Sequence, residues 1–322
     1  MAYTSRADIN YAGILFYLGK TRTPFLSRIL KLPENAMDYD LEAAVRGGDI
    51  RTVNSPYFTV AQPVAMGAPT QPAIDEVTSI TPTADTISRG QDFNVTEIHQ
   101  FLVEVTYMKQ SSAGERGGSA SIGSEPVTPT SELDFQVNAH LLQMAMNLDK
   151  SLIAGVYQAP ATNATAGKTR GLVGAISTNN VAAGAAQLTK TMVDTLVGTM
   201  VGNGAILADM VLIANAYQLK KINDIYGNSM MSTNVGGVQI NLIYTPFGPI
   251  EVMYEPNIVT SAIYIVDASV CKLVIQPVNG KYIIVEDKII AGAAMAKHLY
   301  FQAGFDYGPE EYHGSITGLA TA

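Results

Sequence analysis

The sequence predicts an α+β fold built from an amino-terminal arm, a long β-hairpin, one long helix and an α/β lobe. Two β-patterned runs, Ser55–Met66 and Phe93–Tyr107, flank a stretch that is punctuated by proline. A long amphipathic pattern follows, and helical and strand patterns then alternate before the last third of the chain becomes β. A hairpin that precedes every core-forming segment has no partner in its own chain. We therefore expect it to lie on another subunit.

Residues 1–50 are expected to form an arm with short helical pieces. An apolar helical stripe, Phe25–Leu32, follows Thr23-Pro24 and ends at Pro33. This stripe is too small to form a core of its own. The apolar run Ala12–Leu18 is not followed by a small-residue cleavage site, which argues against a signal peptide.

The second β-patterned run alternates apolar side chains with Leu102, Glu104 and Thr106, the period of two that is expected of a half-buried strand. We assign 51–108 to an extended hairpin loop whose apolar side chains contact other subunits. The candidate contact residues are Phe58, Val60, Phe101, Val103 and Tyr107. In the isolated chain this loop should project from the body with its apolar side chains exposed.

Residues 109–130 are rich in Gly and Ser, a composition that predicts a mobile loop. After it, Ser131-x-x-Asp134 resembles a capping box, and apolar residues then recur at spacings of three and four. One continuous helix over Ser131–Gly155 would be about 40 Å long. We expect its apolar stripe to pack on strands from the last third of the chain. The stripe consists of Val137, Leu141, Met144 and Leu148.

The next segment predicts a lobe in which helices cover a sheet. A helix begins near Thr191-x-x-Asp194 and ends at Gly202, and the fully apolar run Met210–Ala214 suits a strand that is buried on both faces. Asn215 then caps a second helix that ends at Gly227.

The last third predicts strands. Asn279-Gly280 is a strong signal for a two-residue hairpin turn. The chain then returns through Ile289–Phe305 toward the long helix. The expected strands are Val238–Tyr244, Ile250–Tyr254, Ala262–Val266, Val270–Gln276 and Tyr282–Val285.

The composition indicates self-association. Of the 322 residues, 47% are hydrophobic and only 15% are charged, against about 25% in an ordinary soluble domain. No apolar run reaches the roughly 18 residues of a membrane span. The net charge of −8 argues against a protein that grips phosphates, so any nucleic acid is enclosed and not read. Cys271 reads as a small buried hydrophobe.

No pattern in the sequence indicates a catalytic, cofactor-binding or metal site. Gly167-Lys168-Thr169 lacks the earlier glycine of a phosphate-binding loop, because Thr162 occupies that position, and it reads as a surface turn. The acidic pairs Glu286-Asp287 and Glu310-Glu311 fit solvated faces better than acid/base pairs. The histidines lack metal-ligand spacing and read as structural; they are His99, His140, His298 and His313.

The order of these segments resembles the major capsid proteins of tailed bacteriophages with the Hong Kong 97-type fold, in the shorter subfamily without a fused scaffolding domain. The residues that carry the resemblance are Thr23–Leu26, Asn94–Ile98, Val103–Tyr107, Glu132–Phe135 and Thr169–Leu172. The resemblance implies an amino-terminal arm (1–50), an extended loop (51–108), a glycine-rich loop (109–130), a peripheral domain with a spine helix (131–168 and 263–322) and an axial domain (169–262).

The resemblance further implies a protein that assembles as hexamers and pentamers into an icosahedral or prolate shell around double-stranded DNA, without sequence-specific binding. The implied partners are other copies of the chain, a portal, and a separate scaffolding or decoration protein where one is used. Such a protein assembles in the host cytoplasm, resides in the virion, and needs no cofactor, metal or membrane. The alternatives are an encapsulin-like nanocompartment shell and an oligomeric α+β enzyme.

Overall fold

The computed structural model describes residues 23–30, 50–59, 71, 92–112, 120–122, 125–127, 132–227, 231–235 and 238–321. The helices are α1 (Pro24–Ile29), α2 (Tyr107–Ser112), α3 (Glu132–Ala154), α4 (Leu172–Ala175), α5 (Lys190–Gly202) and α6 (Ala216–Tyr226). The strands are β1 (Ile50–Thr52), β2 (Tyr57–Phe58), β3 (Phe93–Asn94), β4 (Glu97–Thr106), β5 (Ala120–Ile122), β6 (Glu125–Val127), β7 (Asn180–Ala182), β8 (Met210–Ala214), β9 (Met231–Val235), β10 (Val238–Thr245), β11 (Gly248–Tyr254), β12 (Ile263–Asp267), β13 (Lys272–Ile275), β14 (Ile283–Lys288), β15 (Ala294–Asp306) and β16 (Gly314–Thr317). This mixture of helices and sheets is the α+β class that the sequence predicts.

Helix α3 is continuous, as its periodicity predicts. Glu132 and Asp134 lie in its first turn, where negative charge is favoured by the helix dipole. The whole predicted stripe is buried, and the helix packs on β4 and β15. The stripe and its packing against a carboxy-terminal strand are therefore confirmed.

Strand β15 organises the sheet beneath this helix. On one edge it pairs antiparallel with β4, from Ala294 opposite Thr106 to Ala303 opposite Glu97. On the other edge it pairs with β14 and then with β13, and β13 pairs in parallel with β1. We call these five strands the peripheral sheet.

This pairing corrects the expectation for the extended loop. The return run does not project from the body, because β4 belongs to the peripheral sheet. Among the described residues of this loop, Tyr57–Phe58 and Phe93–Asn94 pair as the two sides of a hairpin, and Val60–Met66 lies outside the described residues. The glycine-rich segment also differs from a plain loop, because α2 follows β4 directly and β5 pairs with β6.

The Asn279-Gly280 turn forms as predicted, but the strands around it pair differently. Asn279 and Gly280 have φ of 50° and 77°, as a two-residue hairpin turn requires. Val278 and Lys281 exchange two backbone hydrogen bonds of 3.0 Å across the turn. Strands β13 and β14 then separate, because each pairs with β15.

The second sheet has seven strands in the order β7-β16-β12-β8-β11-β10-β9, and we call it the axial sheet. Strand β8 is buried along its whole length, as predicted. Asn215 caps α6, as predicted, by accepting a hydrogen bond of 3.1 Å from Gln218 N–H. The cap of α5 is Thr189 and not Thr191, since the Thr189 hydroxyl accepts from Met192 N–H at 3.3 Å.

The axial sheet also corrects one boundary of the expected division. Strands β12 and β16, which were assigned to the peripheral domain within 263–322, belong to the axial sheet. Strand β12 pairs antiparallel with β8, and β16 pairs antiparallel with β12, although the partners lie far apart in sequence. Their apolar pattern shows that they are buried but cannot show in which sheet.

The axial sheet separates two hydrophobic cores. From β8, Val211 and Ile213 contribute to the core around α3, whereas Leu212 contributes to the core under α5 and α6. Strand β12 does the same with Tyr264 on one side and Ile265 on the other. Because side chains alternate along a strand, one sheet forms a shared wall between both cores.

The segment after α3 approaches the helix end so closely that glycine is required on both sides. Gly171 N–H donates to the Gly155 carbonyl at 2.9 Å. A Cβ on Gly171 would lie 2.5 Å from the Gly155 nitrogen, and a Cβ on Gly155 would lie 2.6 Å from the Thr169 carbonyl oxygen. This contact fixes the start of 169–172 against the carboxy end of α3.

We expect Leu141→Ala to lower the free energy of unfolding by about 2–5 kcal/mol, because it removes a fully buried side chain from the centre of α3. Urea denaturation of unassembled subunits measures this loss. The control is Gln143→Ala on the exposed side of the same helix, which should change stability by no more than about 0.5 kcal/mol. Equal effects of the two substitutions would contradict the packing of α3.

We expect Gly171→Ala to destabilise the subunit by about 1–3 kcal/mol, because the new methyl group overlaps the Gly155 backbone. The matched control is Gly202→Ala at the end of α5, where an added Cβ meets open space. The control should be neutral or slightly stabilising, since Ala favours helix. Thermal unfolding of both variants tests the close approach, and an unchanged Tm for Gly171→Ala would refute it.

Candidate functional site

Exposed apolar side chains lie on the side of the peripheral sheet that points away from α3. Across β4, β15 and β14 its side chains form rows, because directly paired residues share a face. Ile98 and Leu102 on β4 are 60% and 56% exposed. We call this surface the outer sheet face. It consists of Ile98, Gln100, Leu102, Glu104, Ile284, Glu286, His298, Tyr300 and Gln302.

Two depressions lie on the outer sheet face. The first, of about 500 Å³, is lined by Leu102, His298 and the segment 288–290, in which Ile289 is fully exposed. The second, of about 560 Å³, lies between Ile98, Gln302 and the loop 160–167. Apolar side chains in a shallow surface of this kind suit an extended segment of another chain better than a small molecule.

Charged groups lie at one side of this surface. Glu286 Oε1 lies 2.6 Å from Lys288 Nζ and 3.3 Å from His298 Nδ1. Hydrogen bonds from Lys288 and His298 lower the pKa of Glu286. The outer sheet face therefore combines an apolar centre with a charged rim, the anatomy of a protein interface.

The residues predicted to contact other subunits lie in different environments. Phe58 and Tyr107 are 55% and 54% exposed, and Phe101 is half-buried. Val103 is only 2% exposed and packs in the core beneath α3, so its prediction as a contact residue is wrong. The reason is that β15 covers the edge of β4 and α3 covers that face. Val60 lies outside the described residues.

Sequence reasoning missed Ile98 and Leu102, although a signal for them existed. Strand β4 carries apolar residues at both parities, with Val103 and Val105 toward the core and Ile98 and Leu102 toward solvent. A strand with one face in water should be polar at alternate positions. Apolar residues on both faces therefore indicated that the second face is also covered by something.

The residues weighed as chemical groups have structural roles. Gln158 and Lys168 form a β-bridge, and the Thr169 hydroxyl accepts from Phe305 N–H at 3.2 Å, so Gly167-Lys168-Thr169 belongs to a turn. His313 is buried, which lowers its pKa, and its Nε2 lies 2.6 Å from the Tyr307 carbonyl oxygen.

Glu310 was expected on a solvated face, and that expectation is wrong. Its side chain is largely buried and accepts hydrogen bonds from the backbone N–H and the hydroxyl of both Ser177 and Thr178. Burial alone would raise the pKa of Glu310, but these hydrogen bonds lower it. The carboxylate therefore anchors the loop before β7.

Within the described ranges, no group of three or more His, Cys, Asp or Glu side chains is placed to hold a metal ion. No helix in the same part of the chain is both long and apolar enough to cross a membrane.

The arm helix α1 docks on a buried pair of carboxylates. Leu26 N–H donates to Asp149 on α3 at 2.8 Å, and Phe25 N–H donates to Glu255 at 3.3 Å. Asn257 Nδ2 donates to both carboxylates, at 2.9 Å and 3.0 Å. Asp149 and Glu255 are fully buried. The arm therefore supplies backbone donors that these acidic groups would otherwise lack.

The two carboxylates hold a proton more tightly than isolated groups do. Burial raises the pKa of Asp149 to about 6. Burial, together with the negative charge of Asp149, raises the pKa of Glu255 to about 8. The nearest arginine on α1, Arg28, instead pairs with Asp209 and Glu251 at 2.7 Å and 2.8 Å.

The docked arm should be less stable at alkaline pH. Because the folded state binds more protons than the unfolded state, the free energy of unfolding falls as pH rises from the ordinary carboxyl pKa of about 4 to about 8. Glu255→Gln imitates the protonated form, so it should flatten this fall. Urea denaturation of the unassembled subunit between about pH 5 and pH 9 measures the slope. Glu286→Gln, on the exposed rim, is the control and should keep the parent slope; an unchanged slope in Glu255→Gln would overturn the assignment.

Comparisons with known proteins agree with this architecture. The sequence profile of the family described as SU10 major capsid protein matches residues 1–320. The holo-SrpI encapsulin complex from Synechococcus elongatus PCC 7942 aligns with a TM-score of 0.52 at 11% identity, over 80% of this chain and 93% of that chain. The capsid of a native GTA particle aligns with a TM-score of 0.53 at 10% identity, over 84% and 88% of the two chains. A structure of Mycobacterium phage Cain aligns with a TM-score of 0.51 at 12% identity, over 84% and 88%.

None of the curated proteins matches the sequence. At these low identities, the structural alignments show a shared fold. The expected Hong Kong 97-type fold is thereby confirmed.

Proposed function

Because the chain belongs to the SU10 major capsid protein family, whose members are structural proteins and not enzymes, we propose that it assembles as hexamers and pentamers into the closed shell of a tailed phage. Family membership gives the coarser statement, a self-assembling capsid protein of the virion. The proposal adds the capsomers, the enclosed double-stranded DNA, a portal, a separate scaffolding or decoration protein, and assembly in the host cytoplasm.

The outer sheet face is the observation that carries this proposal. Ile98, Leu102 and Ile289 are exposed beside two depressions. Clustered apolar side chains of this kind are typical of an interaction site and not of the surface of a stable monomer. We assign this surface to contact with a neighbouring subunit, together with the exposed Phe58 and Tyr107. Each contact is worth only a few kcal/mol, but a closed shell engages many at once, which raises the effective concentration of each.

The charge of the chain favours an enclosed duplex that the wall does not grip. A net charge of −8 leaves no general attraction for phosphates, and strong attraction would oppose the entry and exit of DNA. A portal follows from the same proposal, since a shell filled with DNA needs an entrance, and a separate scaffolding or decoration protein joins it where one is used.

The rival is a nanocompartment shell, since an encapsulin complex shares the fold. The two differ in what they enclose. Electron microscopy of the purified protein should show closed particles, and particles from virus-producing cells should contain nuclease-protected double-stranded DNA. Particles filled with protein cargo and free of DNA would favour the nanocompartment, and a small oligomer on size exclusion would contradict both.

We expect Leu102→Asp to block assembly while the subunit remains folded. The side chain is half-exposed in the single chain, so the substitution costs the fold little, but it places a charge among the apolar side chains of the outer sheet face, opposite His298. The concentration needed for particle formation should rise about tenfold or more. Light scattering and microscopy measure it. Leu102→Met, which keeps the surface apolar, should assemble like the parent; normal assembly of Leu102→Asp would exclude this surface as an interface.

A further inference from the structure

Strands β2 and β3 form a narrow two-stranded ribbon, which we call the neck and define as 57–59 and 92–94. Tyr57 pairs with Asn94, and Phe58 pairs with Phe93. Thr59 closes the neck, because its N–H and its hydroxyl donate to the Asp92 carbonyl at 2.8 Å and 2.9 Å. Two residue pairs are too few to fix a direction by themselves.

One side of the neck is anchored to the body by Asn94, which is fully buried. Its side-chain oxygen accepts from the N–H groups of Arg170 and Val95, at 2.7 Å and 2.9 Å. Its side-chain nitrogen donates to the carbonyls of Arg170 and Phe305, at 3.1 Å and 2.9 Å. All four hydrogen-bonding positions of the amide are therefore used.

Tyr57 anchors the other side of the neck to β15. Its hydroxyl donates to the Phe305 carbonyl at 2.9 Å. The ring lies against Gly304 so closely that a Cβ there would approach the Tyr57 hydroxyl oxygen to 2.5 Å. Tyr57 of β2 and Asn94 of β3 therefore donate to the same acceptor, the Phe305 carbonyl of β15.

An ionic contact lies farther out, at the point where the described chain resumes. Asp92 Oδ2 accepts from the Arg170 guanidinium and from the Tyr307 hydroxyl, the latter at 2.6 Å. The Arg170 guanidinium also lies 4.9 Å from the centre of the Tyr157 ring. The backbone beside Arg170 is held by the contact between Gly171 and Gly155. The Asp92 carboxylate is thus tied to the carboxy end of α3.

We propose that Asp92, Arg170 and Tyr307 are positioning residues that clamp the neck against the carboxy end of α3 and fix its orientation on the body. This inference rests on the proposed function, in which the exposed Phe58 of the neck contacts a neighbouring subunit. Asn94 and Tyr57 hold the neck in place, and the Asp92 contacts fix its tilt.

The orientation of the neck matters because it sets the position of Phe58. The Phe58 side chain is 55% exposed, and its ring lies against Phe93 with centroids 5.9 Å apart. A contact surface that is already oriented binds with a smaller loss of conformational freedom, so the clamp lowers the entropic cost of assembly.

Pulsed electron spin resonance tests the clamp in full-length subunits kept below the concentration at which particles form. Spin labels are placed at Phe58→Cys in the neck and Lys150→Cys on α3, both exposed, after the only native cysteine is removed by Cys271→Ala. The parent should give a narrow distance distribution. Asp92→Ala and Arg170→Gln should broaden it, and Tyr307→Phe, which removes only one donor to Asp92, should broaden it less.

Glu286→Ala is the matched control, since it removes an exposed ion pair away from the neck and should keep the parent distribution. Parent-like distributions in Asp92→Ala and Arg170→Gln would overturn the clamp. If Asp92→Ala fails to fold, Tyr307→Phe, which keeps the ring, decides the question in the same way.

Assembly supplies the second readout. Particle formation by Asp92→Ala, followed by light scattering, should be about tenfold slower than by the parent, as expected for the loss of a charge-assisted contact. Assembly at the parent rate despite a broadened distribution would overturn the role of the clamp in assembly. A parent that forms no particles at all would refute the proposed function, while the distance distributions would still decide whether the clamp exists.

Discussion

The structure depends on one residue of β15 more than on any other described position. The Phe305 ring contacts Phe25 of the arm with centroids 6.0 Å apart, and its carbonyl accepts from Tyr57 and Asn94 of the neck. Its N–H donates to Thr169, which follows α3. Because a buried polar group without a partner costs about 1–3 kcal/mol, the neck and the helix end are held to β15 by polar groups that need one another, while the arm is held there by ring packing. A shift of β15 would therefore disturb all three.

Local signals were sufficient wherever an element is specified by its own residues. The periodicity of α3, the buried run of β8, the Asn215 cap and the Asn279-Gly280 turn all form as predicted. They depend on neighbours that are close in sequence. Periodicity shows which side of an element is buried, but it does not show what buries it.

Long-range pairing is what the sequence did not reveal. Strand β4 pairs with β15, which lies near the other end of the described chain. Strands β12 and β16 join a sheet that their order along the chain does not indicate. For the same reason Val103 was assigned to an interface, although it lies in the core, and Leu102 was treated as the solvent side of its strand. Phe58 and Tyr107 are exposed, and their contact with other subunits remains a prediction. The docking of the arm on Asp149 and Glu255 had no local signal, since nothing near either acid in the sequence identifies its partner.

The shared wall between the cores limits how a subunit can change shape. Neighbouring side chains of β8 and β12 enter opposite cores, so rotating the axial sheet against α3 would break apolar contacts on both of its faces. The neck is held mainly by hydrogen bonds and an ion pair, which can be exchanged with water at a smaller net cost. The arm helix instead buries Phe25, Leu26 and Ile29 in the core around α3. A capsid subunit must fit positions with different neighbours in a closed shell. We therefore expect this adaptation to occur at the neck, while the arm helix and the two cores move as one body.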